Sequence, residues 1–286
     1  MPDVCDGARD FVERIERSGT VRRSPLQGGQ MVWRVFGSGP ALLLLHGGHG
    51  SWTHWIRNVA GLAADHRLLV PDMPGYGDSD RPASLEGPDE IAAILADGLD
   101  DILDPGVPLA LAGFSFGAVV AGHLARLRPE QARRLILIGA GGLGLQRPPM
   151  ADLVNWRAIE DPAERAAAHR TNLSILMLHD PAQVDGLAVH LQSENARRTR
   201  FRSRTISATS TLRDCLRATR MPLAGIWGSE DATARGRLDE RCLLLRSFDP
   251  QAEFEIIEGA GHWVQFEAPE AFNSTLRTIL GSGRAR

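Results

Sequence analysis

One stretch constrains the fold of this chain more than any other: Leu109-Ala-Leu-Ala-Gly113-Phe-Ser115-Phe-Gly117-Ala-Val-Val-Ala-Gly122. It opens as a short apolar run, Leu109 to Ala112, of the kind a buried strand shows, and continues as a small-residue helical pattern, Ala118 to Leu127. A strand that turns into a helix within a few residues forces the central residue into a strained backbone conformation. Gly113 and Gly117 carry no Cβ, so neighbouring elements can crowd the turn. Ser115 is then left with its hydroxyl above the sheet edge. The Phe116 N–H stands at a helix start, where the helix dipole favours negative charge. The stretch reads as a nucleophile with half of an oxyanion hole; the plainer reading is a glycine-rich turn that contains a serine.

The rest of the chain supplies a frame for such a turn. Strands are expected at Met31 to Phe36, Ala41 to Leu45, Arg67 to Pro71, Leu109 to Ala112, Arg134 to Ile138, Leu223 to Trp227 and Glu253 to Ile257. Helices are expected at Thr53 to Ala64, Ile91 to Leu103, Ala118 to Leu127, Arg237 to Arg246 and Pro269 to Leu280. Residues 1–30 read as polar, with one short amphipathic segment from Ala8 to Glu16. The alternation implies an α/β chain: a parallel sheet with helices on both faces. Ligands of such sheets sit beyond the carboxyl ends of the strands, and His46, Asp72, Ser115 and Gly139 all fall there. From Leu145 to about Arg220 strand signals vanish, the period is helical, and arginine is dense at Arg197, Arg198, Arg200, Arg202 and Arg204. This is expected to be a helical insertion over the active end of the sheet, since ordinary crossovers are far shorter.

A serine hydroxyl is a poor nucleophile at neutral pH and needs a base, and the base needs an acid to orient it. His262 directly follows the last strand in a glycine-flanked loop, and Asp231 follows the strand before, giving the chain order Ser, Asp, His. Glu230 is the alternative acid, while Asp239 and Glu240 read as a solvated helix face. His66, His169, His179 and His190 lie in helical or polar stretches, and His123 falls about two turns beyond Ser115, pointing away. The second oxyanion donor is expected from Gly48, with Gly47 beside it, because glycine lets an N–H approach a reacting oxygen without a side chain in the way. Trp52, Trp55, Phe114, Phe116, Trp156 and Trp263 are candidates for the pocket wall or for ordinary core, and His49 joins Gly47, Phe114 and Trp263 as a pocket candidate.

Composition removes other classes. The formal net charge of −3 gives no footprint for nucleic acid or an anionic membrane. The three cysteines, Cys5, Cys215 and Cys242, are far apart and form neither a disulfide framework nor a metal pattern, which suits a cytoplasmic protein. The N-terminus, Met-Pro-Asp-Val-Cys-Asp, shows no basic region followed by an apolar run, so no export signal is expected. Pro105 to Ala125 lacks Asp, Glu, Lys and Arg, but its glycines and prolines argue for a buried strand and helix rather than a membrane span. The expected partner is a small-molecule substrate, with no cofactor and no metal; a homodimer is left open.

Five motifs together, His46-Gly-Gly48, Asp72-x-Pro74-Gly75-x-Gly77-x-Ser79, Gly113-Phe-Ser115-Phe-Gly117, Gly228-Ser-Glu-Asp231 and Gly261-His262-Trp263, resemble the α/β-hydrolase superfamily over almost the whole chain. The resemblance implies an eight-stranded, mostly parallel sheet, with a core at 1–142 and 221–286 and a helical cap at 143–220. Within it, Gly261-His262-Trp263-Val-Gln265-Phe-Glu267 with Phe272-Asn273, and Trp52-x-x-Trp55-x-Arg57-Asn58, look like the meta-cleavage product hydrolases, which break carbon–carbon bonds. In that group a cap arginine meets a substrate carboxylate. This chain departs from the group in Phe114, where asparagine is usual, in His54, and in a shorter loop after His46 that carries His49. An acyl ester, lactone or amide therefore fits as well as a dienoate. Serine at position 115 argues against the dehalogenases and epoxide hydrolases of this fold, which use aspartate there. A ligand receptor that has kept the fold, and a cofactor-free lyase or perhydrolase, are the rival classes.

Overall fold

Thr20–Leu26 (β1), Gly29–Phe36 (β2), Ala41–Leu45 (β3), Arg67–Pro71 (β4), Leu109–Phe114 (β5), Ala132–Ile138 (β6), Leu223–Gly228 (β7) and Glu253–Ile257 (β8) form one sheet in the order β1-β2-β4-β3-β5-β6-β7-β8. β2 runs antiparallel to both β1 and β4, and every other neighbouring pair is parallel. The computed structural model describes residues 4–282. Met1 to Asp3, part of the stretch read for an export signal, and the side chain of Cys5 lie outside the described residues.

The continuous apolar runs are the interior strands, because a strand covered on both faces has no polar side. In β3, Leu43 and Leu45 pack into one core with Leu111, Leu135 and Leu137, while Leu42 and Leu44 point into the other with Ala112, Ile136 and Ile138. The strand that the residue pattern does not announce is β1, which falls in the polar stretch at 1–30. It lies at the sheet edge with most residues exposed, so it needs no apolar signature and forms by pairing with β2. The amphipathic segment before it is the helix Val4–Arg17.

The expected helix at Thr53 to Ala64 is instead a 3₁₀ turn, Trp52–Trp55, and a single helical turn, Val59–Leu62. Burial of Trp52, Thr53, His54 and Trp55 together, and the Trp52 N–H donating to Asp72 Oδ1 at 2.7 Å, hold the tight turn against continuous helix. Pro105 to Ala125 divides into β5 and the helix Phe116–Leu127. Among the described residues no helix is long and apolar enough to cross a membrane.

Between β6 and β7 the chain forms the helices Pro162–Leu176, Gly186–Arg198 and Thr211–Ala218, with short 3₁₀ turns between them. The last of these returns to the sheet layer: Leu212 belongs to the core, and a Cβ on Gly122 would lie 2.3 Å from its Cδ1. The other two lie toward the carboxyl ends of the strands and carry side chains to the loops there, as at Ser51, whose hydroxyl donates to Asn195 Oδ1 at 2.7 Å.

Candidate active site

Ser115 stands at the junction of β5 and the helix Phe116–Leu127 with φ 52° and ψ −110°, a left-handed conformation that serine rarely adopts. Backbone bonds pin it: its N–H donates to Ile138 O at 2.8 Å, and its carbonyl accepts from Gly141 N and Ala118 N, each at 3.2 Å. The flanking glycines are required by close approach. A Cβ on Gly113 would stand 2.4 Å from Gly117 O, and one on Gly117 would stand 2.3 Å from Leu45 O. Phe116 is the first residue of the helix, where backbone N–H groups have no intrahelical acceptor.

His262 Nε2 lies 3.1 Å from Ser115 Oγ, and its Nδ1 lies 2.9 Å from Asp231 Oδ2 and 3.0 Å from Asp231 Oδ1. Three residues far apart in the chain thus form one hydrogen-bonded line. Asp231 is fully buried and also accepts from the Thr233 N–H and hydroxyl, both at 2.8 Å. Burial by itself would raise the carboxyl; the His262 ring and the Thr233 donors outweigh it and hold Asp231 below the ordinary aspartate value. Glu230, the alternative acid, is half-buried and faces Arg235 at 3.5 Å. His123 is tied to Asp89 and Thr211, at 2.7 and 2.9 Å.

The loop after β3 is held by two buried histidines whose proton positions follow from their partners. His46 Nε2 accepts from the Met73 N–H at 3.0 Å, so its proton is on Nδ1 and is donated to Gly47 O at 2.8 Å. His54 Nδ1 accepts from the Gly47 N–H at 3.1 Å, so its proton is on Nε2. Burial keeps both rings neutral: it pushes His46 down and, with His46, His262 and His49 nearby, pushes His54 far down. In a planar trans peptide the N–H points opposite to the C=O. Holding Gly47 O therefore also sets the direction of the Gly48 N–H. In the sequence His54 stands out only as a departure from the meta-cleavage pattern; no local signal announces its bond to Gly47.

A cavity of about 160 Å³ lies over Ser115. Gly47, Gly48, His49, Phe114, Phe116 and His262 line it from the core, and Arg147, Met150, Leu176, Ser203 and Arg204 line it from the segment between β6 and β7. Among the described residues no carboxylate lines it, and its cations are Arg147 and Arg204. Burial, followed by the nearby arginines 157 and 204, pushes His49 below the ordinary histidine value. Of the arginine run, Arg197 pairs with Glu194 within its own helix, while Arg198 pairs with Asp78 and Arg200 bonds the carbonyls of Gly77 and Ser79, so these last two tie elements together. Arg204 is the member of the run that lines the cavity, and Arg147 precedes the run altogether. Trp263 is not part of this wall: fully buried, it stacks on Phe266 and donates from Nε1 to His54 O at 2.9 Å. Trp52 and Trp55 are core, and Trp156 packs on His169. Among the described residues no cluster of His, Cys, Asp and Glu is placed to hold a metal ion.

Comparison with known proteins identifies the family and the fold. The model of the alpha/beta hydrolase family matches residues 42–275. A 2-hydroxy-6-oxo-6-phenylhexa-2,4-dienoate hydrolase of Burkholderia cepacia is 28% identical over 272 residues, covering 86% of this chain and 90% of its own. The dihydrolipoyllysine-residue acetyltransferase component of the acetoin cleaving system of Pseudomonas putida is 29% identical over 292 residues, covering 97% of this chain and 72% of its own. Among solved structures, a meta-cleavage product hydrolase of Pseudomonas fluorescens superposes with a TM-score of 0.72 at 20% identity, covering 92% of this chain and 98% of that one. With the family's model spanning most of the chain and the same fold in its structural neighbours, this protein belongs to the alpha/beta hydrolase family and is a hydrolase.

Proposed function

We propose that the protein is a serine hydrolase of small carbonyl compounds that carry an anionic group, with Ser115 as nucleophile, His262 as base and Asp231 as the group that orients it. The observation that carries this reading is the line from Asp231 through His262 to Ser115 Oγ, with bonds of 2.9 and 3.1 Å, opening on a cavity. In the forward step Ser115 Oγ bonds to the carbonyl carbon while His262 Nε2 takes the hydroxyl proton. The carbonyl electron pair moves to oxygen, and the Gly48 and Phe116 N–H groups receive that charge; each such donor is worth about 3 kcal/mol of barrier. Collapse of the adduct expels the leaving group, which takes the proton from His262. Water, deprotonated by the same nitrogen, then releases the acid. Where the leaving group is a stabilised carbanion, the same sequence breaks a carbon–carbon bond, and the dienoate hydrolases among the relatives favour that outcome for this chain. A gem-diol route, in which water adds without an acyl-enzyme, uses the same residues. In this reading residues 143–220 act as the cap, and Arg147 and Arg204 meet the substrate's negative group. Ester, lactone or amide hydrolysis is the second reading, supported by Phe114 and His54 where the carbon–carbon hydrolases have other residues.

The test is turnover of a panel of p-nitrophenyl esters, lactones and 2-hydroxy-6-oxo-dienoates, with and without Ser115→Ala. The expected loss is about 10⁴-fold or more in kcat, with fluorophosphonate labelling one serine per chain only where Ser115 is intact. Turnover unchanged by Ser115→Ala would sink the mechanism. Tight binding of a ligand without turnover would favour a receptor instead.

A further inference from the structure

Ser203 stands apart from the Ser115–His262–Asp231 line, yet its hydroxyl lies against the oxyanion loop. The residue is 3% exposed and lines the cavity beside Gly48, Ser115 and Phe116. A Cβ on Gly48 would stand 2.3 Å from Ser203 Oγ and 3.9 Å from the Phe116 Cβ. The hydroxyl therefore fills the space next to Gly48 Cα, on the side facing Phe116, and glycine at position 48 is what admits it. The segment between β6 and β7 delivers Ser203 there, and several contacts fix its approach. Arg200 N donates to Gly75 O at 2.8 Å, Ser207 N donates to Ser203 O at 3.0 Å, and the Phe201 ring packs on Phe116 and Tyr76 with centroids 5.9 and 6.1 Å away.

The other side of Ser203 faces Tyr76. This tyrosine is fully buried, its hydroxyl makes no hydrogen bond among the described residues, and a polar group near it is the Ser203 hydroxyl. Burial pushes the phenol far above its ordinary value, so it keeps its proton wherever the protein is folded. For this buried phenol to be satisfied its proton must turn to Ser203 Oγ, which leaves the serine proton to be donated onward. In such a chain the second donor is polarised by the first. The cavity side of Ser203 holds the oxygen-binding loop, so an oxygen of the bound compound is the acceptor within reach.

We propose that Ser203 is a third hydrogen-bond donor to the substrate oxygen that gains negative charge during the reaction, alongside the Gly48 and Phe116 N–H groups, with Tyr76 as its positioning residue. The inference rests on Ser115 being the nucleophile. A donor of this kind acts on the charged adduct more than on the neutral carbonyl, so its loss lowers kcat and leaves KM nearly unchanged.

The experiment compares the unaltered chain with Ser203→Ala, Ser203→Thr, Tyr76→Phe and the double variant Tyr76→Phe/Ser203→Ala. It measures kcat and KM on a p-nitrophenyl ester, endpoint fluorophosphonate labelling and the melting temperature. Ser203→Ala is expected to lower kcat by about 10²-fold at constant KM, with full labelling and an unchanged melting temperature. Ser203→Thr, which keeps the hydroxyl, is expected to recover most of the rate. Tyr76→Phe is expected to lower kcat by a smaller factor, and that factor is expected to vanish once Ser203 is alanine. An unchanged kcat in Ser203→Ala, in a chain whose Ser115 still labels, overturns the role of Ser203 alone. An equal effect of Tyr76→Phe in both backgrounds overturns the role of Tyr76. An unaltered chain whose Ser115 does not label overturns the nucleophile and this inference together.

Discussion

Asp231 has no exposed surface, yet every donor around it points at its carboxylate: the His262 ring and both groups of Thr233. Its native pKa is held below the ordinary value of 3.8, against the pull of burial. The sign of the linkage follows: the stabilisation is fully present above the unfolded value and is lost as pH falls through the native one. Asp231→Asn is expected to lower kcat by about 10⁴-fold, because an amide no longer selects the imidazole tautomer that can take the serine proton. It is also expected to flatten the acid limb of the stability curve, read by chemical denaturation from pH 6 down to about 2. An acid limb identical in the two chains would show that Asp231 is not the carboxylate that limits acid stability. Residues of this kind are legible in the sequence, because a glycine-flanked histidine or an aspartate just past an apolar run is a local pattern. Arg147, Ser203 and His54 leave no such mark. Each is a common residue in an unremarkable context, and only its neighbours in space give it a role.

At the scale of the element, the strand–turn–helix around Ser115 depends on backbone packing that no larger residue can enter. A Cβ on Gly117 would meet the carbonyl oxygens of Leu45 and His46 at 2.3 and 2.5 Å, and backbone cannot swing aside as a side chain can. Gly117→Ala is expected to cost about 1–3 kcal/mol, measured by urea denaturation. It is also expected to lower kcat at saturating substrate, because the displaced atoms begin the loop that ends at Gly48. A stable, fully active Gly117→Ala chain would mean that the turn relaxes without disturbing that loop. The elements that residue patterns miss share one cause. β1 is made by its partner strand rather than by its own polar residues, and the Trp52–Trp55 turn is made by burial and by Asp72 rather than by helical period.

At the scale of the molecule, what matters is how the segment between β6 and β7 is tied to the sheet. Arg57 bonds Asp185 at 2.7 Å, and Ser51 bonds Asn195 at 2.7 Å. Glu267 takes three N–H bonds at once: from His179 at 2.8 Å and Asp180 at 2.6 Å in the segment between β6 and β7, and from Gly261, the residue before His262, at 2.7 Å. Burial nonetheless pushes its carboxyl above the ordinary glutamate value, ahead of the donors that pull it down. Glu267→Ala strands three backbone donors and is expected to destabilise the chain by about 1–3 kcal/mol or more. Limited proteolysis is expected to cut first near residues 177–180. Unchanged stability and an unchanged cleavage pattern would mean that other bonds hold this joint. The sequence alone determined the alternation of buried strands and helices, and the three residue types at three strand ends, because apolar runs, glycines and chain order are local properties. Only the tertiary structure decided which arginines face the cavity, which histidines hold the two peptides of Gly47, and that a serine from the segment between β6 and β7 lies against that loop. Those facts are distances between residues far apart in the chain, and they exist only once the two cores have closed around the sheet.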